Sequence, residues 1–459
     1  MEKNSATLLE TIKVLLAEKK YKTLRDILTT LNPYDIAVIF EELMDEKTAL
    51  LFRMLPKELA AETFVEMDED TQEMLIHGFS DSELKEIVDE LYLDDAVDII
   101  EEMPANVVRR ILKQADPVTR KTINELLNYP EDSAGSIMTT EYVTLRPEMT
   151  VEEAIKRIRR TGIDKETIYT CYVTDSNRQL IGIISIKTLL LAKDDEETVS
   201  ELMETNVLSV NTLDDQEFVA HTFNNYNFLA LPVVDKENRL VGIVTIDDAM
   251  DVMEEETTED IQKMAAITPN DKPYMKLGVF ELFKSRIPWL FLLMISATFT
   301  GMIITSFEDA LSSMVVLSSF FPMLMDTGGN SGSQASVTVI RALSLEEVEF
   351  KDIFKVIWKE IRVSVLCGVT LATANFAKIM LVDKMLLGNN SITIPVAFVV
   401  CLTMVVTVFF AKIIGCSLPM VAKKLGFDPA VMASPFITTI VDAISLAVYF
   451  WFATVMLGL

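Results

Sequence analysis

The sequence predicts a multidomain membrane protein, in which a cytoplasmic α-helical, solenoid-like domain and a tandem α/β pair precede a five-helix transmembrane α bundle. The first observation is a division in composition. Residues 1–275 hold 57 Asp and Glu against 28 Lys and Arg, whereas residues 276–459 hold 12 against 13 and are mostly apolar. The second is a repeat within residues 136–257, and the third is a series of apolar stretches long enough to span a membrane. We expect no nucleic-acid partner, because the acidic half would repel phosphates.

The first domain, residues 1–130, is predicted to consist of short amphipathic helices. The segments 32–45 and 93–104 share one pattern of apolar and acidic positions, and 56–68 is a weaker copy. Repeated helical units of this kind bury their apolar faces against their neighbours. The pattern therefore predicts a small solenoid-like stack.

The second domain, residues 131–257, contains two copies of one unit, 136–199 and 200–257. Each copy runs from a short strand through a helix to an apolar strand, a polar turn and a further apolar strand near Gly182 or Gly242. This order resembles a pair of CBS domains, a regulatory module that often binds adenosine nucleotides. The resemblance places the acidic ribose-binding position at Asp248 in the second copy, where the first copy has Thr188. The pair is either a nucleotide site at Asp248 or a structural pair that responds to another signal.

Acidic residues concentrate at two further places. Asp94 and Asp98 stand four residues apart and so share one helix face. Eight carboxylates crowd the segment just before the membrane half: Asp247, Asp248, Asp251, Glu254, Glu255, Glu256, Glu259 and Asp260. Like charges at this density repel unless cations lie between them, and Mg²⁺ or Ca²⁺ would suit their oxygen ligands. A solvated acidic face is the alternative. Residues 258–285 are predicted to connect this region to the membrane as a helix that ends at Thr268–Pro269.

The transmembrane domain, residues 286–459, contains five apolar stretches. They lie near 287–306, 311–341, 361–382, 393–418 and 430–457. Basic residues favour the cytoplasmic ends of spans. Ten lie at the flanks that would be inside, and only Lys378 and Lys384 lie outside; the inner ones are Lys284, Arg286, Arg341, Lys351, Lys355, Lys359, Arg362, Lys412, Lys423 and Lys424. The sequence predicts a multi-pass cell-membrane protein with its N-terminal domains in the cytoplasm and its C-terminus outside.

Two of these stretches carry polar residues at membrane depth. Asp442 lies near the middle of the last one, where a bare carboxylate costs at least ~2.5 kcal/mol. Ser434, Thr438 and Asp442 follow at four-residue intervals and form one stripe on the helix. The segment 322–336 adds Asn330 and three glycines. Polar groups at this density must face protein or water, so we interpret them as a pore wall for a cation. Interhelical hydrogen bonding along a seam of small residues is the alternative.

Five helices enclose little space, so a pore is easier to build from two copies around a twofold axis. We therefore predict a homodimer.

The order of the domains and two membrane motifs resemble the MgtE family of magnesium transporters and channels. The motifs are MDTGGNSGSQAS at 325–336 and DPAVMASPFITTIVDAISL at 428–446. The resemblance implies a homodimeric pore that admits hydrated Mg²⁺ and is closed by cytosolic Mg²⁺. It does not imply an enzyme. A CBS-regulated transporter of another divalent cation and a membrane magnesium sensor are the alternatives.

The resemblance also implies which residues of this chain carry the function. Asp442 would hold the ion in the pore, whose lining would comprise Gly328, Gly329, Asn330, Ser434, Thr438 and Asp442. Regulatory Mg²⁺ would bind among acidic residues of the cytoplasmic half: Asp94, Asp98, Asp215, Glu217, Asp248, Asp251, Glu255, Glu256, Glu259 and Asp260.

Overall fold

The computed structural model describes residues 2–43, 46–270, 272, 274–432 and 434–458. The chain divides into two compact units, Met1–Met253 and Glu254–Leu459, each with its own apolar cores.

The first unit begins with short helices, as the sequence predicts. They are α1 (Glu2–Ala17), α2 (Tyr21–Leu28), α3 (Pro33–Leu43), α4 (Glu46–Phe52), α5 (Lys57–Val65), α6 (Glu69–Gly78), α7 (Asp81–Val88), α8 (Leu93–Glu102), α9 (Ala105–Gln114) and α10 (Pro117–Leu126). Several of them are capped at the N-terminus by a polar side chain. At the start of α6, for example, the Asp68 carboxylate accepts a hydrogen bond from the Thr71 amide. α3 packs on α5, α5 on α7 and α7 on α9, so the helices form a stack.

Two three-stranded sheets follow, one in each copy of the repeat. The first copy contains β1 (Thr144–Leu145), α11 (Val151–Thr161), β2 (Thr170–Thr174), β3 (Leu180–Ser185), α12 (Ile186–Leu190) and α13 (Val199–Leu202). The second contains β4 (Val210–Asn211), α14 (Gln216–Tyr226), β5 (Ala230–Val234), β6 (Leu240–Thr245) and α15 (Ile246–Met264). In each sheet the short first strand runs parallel to the second strand, and the third runs antiparallel to it.

Gly182 and Gly242 occupy equivalent, crowded positions in the two sheets. A Cβ at Gly242 would lie 2.9 Å from the Thr139 carbonyl oxygen, and one at Gly182 would lie 3.1 Å from that of Glu204. In both sheets this carbonyl belongs to a segment that pairs with the strand containing the glycine. Thr139 pairs with Ile243 of β6, and Glu204 pairs with Ile183 of β3. A glycine is therefore needed near the start of each last strand.

The predicted connecting helix is a continuation of α15. It ends at Met264 and not at Thr268–Pro269, because Ala266 adopts a left-handed backbone conformation with φ of 55°. The chain turns there before the next helix begins.

The second unit consists mainly of long helices. Its α-helices are α16 (Val279–Ser306), the short α17 (Glu308–Ser313), α18 (Phe321–Ser344), α19 (Ile353–Lys378), α20 (Ile394–Lys424) and α21 (Ser434–Leu457). A π-helix, Ile379–Leu386, extends α19, and 3-10 turns at Val315–Phe320 and Pro429–Met432 precede α18 and α21.

Within the described residues, four helical segments are long and apolar enough to cross a membrane: Val279–Ser306, Phe350–Leu386, Ile394–Lys424 and Pro429–Leu457. The stretch predicted at 311–341 is not one continuous helix, since α17 and a 3-10 turn come before α18. α18 is rich in Gly, Ser, Asn and Gln, which lowers its apolar character. The structure thus has several apolar helices, and a count of five spans stays a prediction.

The position of Lys412 in the membrane half differs from the sequence interpretation. Lys412, assigned to an inner flank, is only 5% exposed within α20, and its Nζ lies 3.7 Å from Glu360 Oε2 of α19. Pro435 is the second residue of α21. Proline fits there, because the first amides of a helix have no intrahelical acceptor.

Candidate functional site

A group of three carboxylates lies inside the first unit. Asp94 is the second residue of α8, Glu141 lies before β1, and Glu166 lies before β2. One oxygen from each lies within 4.8 Å of the others. Backbone bonds help to hold the group together, because the Leu93 amide donates to Glu141 Oε2 at 3.2 Å and the Glu166 amide donates to the Glu141 carbonyl.

Two oxygens of this carboxylate group are buried without a hydrogen-bond partner among the described residues. They are Asp94 Oδ1 and Glu166 Oε2. A buried oxygen of this kind costs free energy unless something satisfies it. An all-oxygen set of one buried and two half-buried carboxylates suits a hard divalent cation such as Mg²⁺. The residues present therefore fit the predicted regulatory ion.

The electrostatics of the surrounding residues lead to the same conclusion. Burial, reinforced by Asp248 and other neighbours, raises the pKa of Asp94 well above its ordinary value and that of Asp95 to about 7. Burial and then Asp95 raise the pKa of Glu166 to about 8. Burial raises the pKa of Asp248 to about 6, although Thr245 Oγ1 donates to it at 2.5 Å. These groups repel one another when ionised, and a divalent cation would replace their protons.

The other predicted ligands of the first unit lie outside this group of three. Asp98 is exposed, one turn beyond Asp94. Asp251 faces Glu66, whose pKa is raised by burial and by the Asp251 charge. Asp251 of α15 therefore lies near the end of α5, where the two carboxylates repel each other when ionised.

Asp215 and Glu217 have local structural partners. Asp215 begins α14 and accepts a hydrogen bond from the Glu217 amide at 2.9 Å. The Glu217 carboxylate lies 3.7 Å from the His221 ring. Their role as ligands stays a prediction.

The last predicted acidic residues lie on the end of α15, in the second unit. Glu255 is exposed, and Glu256 and Asp260 are half-buried. Lys263 Nζ contacts Glu259 at 2.5 Å and Asp428, just before α21, at 2.6 Å. Burial lowers the pKa of Lys263, but the bonds with Asp428 and Glu259 outweigh it and raise the pKa overall. Lys263 therefore fastens the end of α15 to the turn that precedes the last helix.

Three members of the acidic region were missed by reasoning from the sequence. Asp95 is the neighbour of the predicted ligand Asp94, so adjacency was the available signal. Glu141 and Glu166 lie in loops of the first repeat, and no pattern along the chain distinguishes them. The fold alone brings them to α8.

A second candidate site surrounds Asp442 on α21. Its Oδ1 is buried and has no hydrogen-bond partner within the part of the chain that the structure describes. Asp326 on α18 lies close enough for its charge to act on Asp442. Asn330 Nδ2 donates to Asp326 Oδ1 at 3.0 Å. Two acidic groups and an amide thus converge from two helices.

α18 has two contrasting faces at this site. Asp326, Asn330 and Gln334 follow at four-residue intervals and are exposed in the single chain. The glycines face the other way: a Cβ at Gly328 would lie 2.6 Å from Thr407 Cγ2, and one at Gly329 would lie 2.8 Å from Thr438 Cγ2. The glycines therefore permit close packing against α20 and α21.

The roles predicted for the pore lining remain predictions. The side chain of Ser434 lies outside the described residues. Thr438 is half-buried beside Gly329, one turn before Asp442.

Comparison with known proteins covers nearly the whole chain. Residues 31–132 match the family described as MgtE intracellular N domain, residues 134–195 and 199–255 match CBS domains, and residues 321–452 match the MgtE family described as divalent cation transporter. The chain is 37% identical over 446 residues to the magnesium transporter MgtE of Thermus thermophilus, covering 96% of this chain and 97% of the relative. It is 34% identical over 445 residues to that of Bacillus subtilis, covering 96% and 95%.

Two solved structures resemble the first half of the chain. One is the cytosolic domain of the Mg²⁺ channel MgtE in complex with ATP, which is 39% identical, with a TM-score of 0.51 over 53% of this chain and 99% of that one. The other is the soluble part of a magnesium transporter, which is 33% identical, with a TM-score of 0.50 over 56% and 99%.

Proposed function

Because the chain belongs to the MgtE family, we propose that it forms a homodimeric channel for hydrated Mg²⁺ and that cytosolic Mg²⁺ closes it. The observation that carries the proposal is the buried oxygen of Asp442, which has no hydrogen-bond partner among the described residues and lies near Asp326, the acceptor of the Asn330 amide. Mg²⁺ gives up its water reluctantly, so carboxylate and amide oxygens can hold the hydrated ion without removing its shell. Backbone oxygens around Gly328 and Gly329, with Ser434 and Thr438, complete the proposed lining.

The exposed polar stripe of α18 supports the homodimer. Asp326, Asn330 and Gln334 are exposed in the single chain, and polar side chains do not face lipid within a membrane. A second copy related by a twofold axis would cover this face and place two Asp442 carboxylates around one path.

The orientation follows from the basic residues. In this proposal α18 also crosses the membrane, which brings the number of spans to five. The N-terminal domains then lie in the cytoplasm and the C-terminus lies outside. A divalent cation then gains about 4.6 kcal/mol per 100 mV on entering a cell that is negative inside, from ~2.3 kcal/mol per charge. The membrane potential therefore favours uptake.

The carboxylates of the first unit supply the proposed gate. When Mg²⁺ is scarce, ionisation of Asp94, Glu166 and Asp248 places like charges together and loosens the contact between α8 and the repeats. When it is abundant, the ion bridges them. α15 carries the change onward, because Lys263 ties its end to Asp428 before α21.

The pore assignment is tested by Asp442→Asn, which removes the charge and keeps the size of the side chain. We expect Mg²⁺ uptake into proteoliposomes to be abolished. Asp309→Asn is the matched control, since Asp309 is an exposed carboxylate of the same unit and should keep full uptake. Full uptake by Asp442→Asn would refute the assignment.

The gate is tested separately by Asp248→Ala combined with Asp251→Ala. We expect channel currents that persist when Mg²⁺ is raised on the cytosolic side. Unchanged inhibition would show that these carboxylates do not operate the gate.

Two further measurements distinguish the alternatives. Competition by Mn²⁺ or Co²⁺ in the uptake assay would reveal a transporter of another divalent cation. Absence of single-channel current from protein in liposomes would favour a magnesium sensor.

A further inference from the structure

A cavity of about 390 Å³ lies in the first repeat, beside β1 and α11. Four cationic side chains line it: Arg146, Arg157, Lys165 and Arg178. The remaining lining residues are hydroxyl-bearing or apolar: Thr140, Tyr142, Val143, Thr144, Thr161, Thr174 and Leu240. None of the described residues that line it is acidic, in a chain whose net charge is −28.

Uncharged acceptors hold two of the guanidinium groups in this basic cavity. Arg146 Nη1 donates to the carbonyl oxygens of Thr174, at 3.1 Å, and Asp175. Arg157 Nη2 donates to Thr144 Oγ1 at 3.4 Å. These acceptors orient the guanidinium groups but carry no charge. Among the described residues, neither arginine forms an ion pair with a carboxylate, and the same holds for Lys165 and Arg178.

Four converging cations without a carboxylate partner repel one another, so an anion would stabilise them. Arginine suits phosphate in particular, because its planar group can donate two parallel hydrogen bonds. A single phosphate would leave part of the charge unmatched, whereas two linked phosphates match four cations better. Neighbouring threonine hydroxyls can donate further hydrogen bonds to phosphate oxygens.

We propose that this basic cavity binds a small anion with at least two phosphate groups. The site does not include Asp248, the residue predicted to contact a ribose. The anion would therefore be bound through its phosphate groups and not through a nucleoside. The anion could be free pyrophosphate or the phosphate tail of a nucleotide, since both present the same chemistry. Binding at this site would make the paired repeats respond to the concentration of the anion, and this binding does not depend on the channel function.

Binding can be measured by titrating the full-length protein in detergent with pyrophosphate, in Mg²⁺-free buffer, by calorimetry. We expect saturable binding that weakens as salt is added, because ions screen the cavity charges. Arg157→Gln with Lys165→Gln should lower the affinity about tenfold or more, since hydrogen bonds to charged groups are worth ~1.5–3 kcal/mol each. Arg159→Gln is the matched control: Arg159 lies on the same helix, is exposed and does not line the cavity.

Competition identifies the source of the phosphates. Displacement of pyrophosphate by ADP would favour the tail of a nucleotide, and failure of ADP to displace it would favour the free anion; either result requires the site to exist. Adenosine alone should not compete, and binding should persist in Asp248→Ala.

The proposal is overturned if pyrophosphate does not bind the wild-type protein at concentrations up to ~1 mM. It is also overturned if the double variant binds as well as the Arg159→Gln control. If the double variant does not fold, Lys165→Gln alone replaces it, because that side chain makes no hydrogen bond or ion pair among the described residues. Binding does not depend on transport, so a failed channel assay would leave this test intact.

Discussion

The crossing of α18 and α20 offers a sharp test of the membrane half, through Gly415→Ala. A Cβ at Gly415 would lie 3.0 Å from the carbonyl carbon of Gly332 and 3.2 Å from its Cα, with the carbonyl oxygen closer still. These are backbone atoms, so no side chain can rotate away. The two helices would have to separate.

The size of the effect follows from the geometry. Ordinary contact begins at 3.4 Å, so the carbonyl carbon must retreat by about 0.4 Å and the oxygen by more. Overpacking of this kind costs ~1–3 kcal/mol. α18 also carries Asp326 and Asn330, and α20 packs against α21, so the displacement would disturb the surroundings of Asp442. We expect a lower unfolding temperature and reduced Mg²⁺ uptake.

Gly301→Ala provides the matched control. Gly301 lies inside α16 with no atom within 4 Å of its added Cβ, and it is exposed. Alanine there should leave stability unchanged or raise it slightly, because alanine favours helix. Both variants are measured by thermal unfolding of purified protein and by uptake into proteoliposomes. If Gly415→Ala unfolds at the same temperature and transports as well as Gly301→Ala, the close crossing is wrong.

Two further predictions concern buried charge. Burial and neighbouring carboxylates raise the pKa of Asp95 to about 7 and that of Glu166 to about 8, so the folded first unit holds protons that the unfolded chain releases above pH ~4. Its stability without Mg²⁺ should therefore fall as pH rises from about 4 to 8, and Mg²⁺ should restore it; calorimetry showing constant or rising stability would contradict this. Lys412→Met leaves Glu360 buried without its cation and should cost ~3–5 kcal/mol. Adding Glu360→Gln should recover most of that loss in thermal unfolding, and a double variant no more stable than the single one would argue against the pair.

The two candidate sites share one physical feature. Each contains buried carboxylate oxygens without a partner among the described residues: Asp94 and Glu166 in the first unit, and Asp442 in the second. Such groups are tolerated when a ligand satisfies them for part of the time. In the proposed function, Mg²⁺ plays this part twice, as regulator at the first site and as the transported ion at the second.

Much of the architecture was predictable from the sequence alone. Helix periodicity, the repeated unit and long apolar stretches are local properties of the chain, and each pattern predicts the secondary structure of its own segment. Asp442 was identifiable because a carboxylate in an apolar stretch is costly wherever the helix packs. The two repeats also align so that Thr188 and Asp248 occupy equivalent positions.

The tertiary structure decided which residues meet. Asp94 is 47 and 72 positions before Glu141 and Glu166, and no periodic pattern spans such separations. Lys412 looked like a flanking residue until α19 placed Glu360 beside it. The four cations of the basic cavity come from a strand end, a helix, a loop and a hairpin turn. The chain's own patterns set the local conformation, but the electrostatic free energy of a group depends on its neighbours in space, and packing of distant segments determines those neighbours.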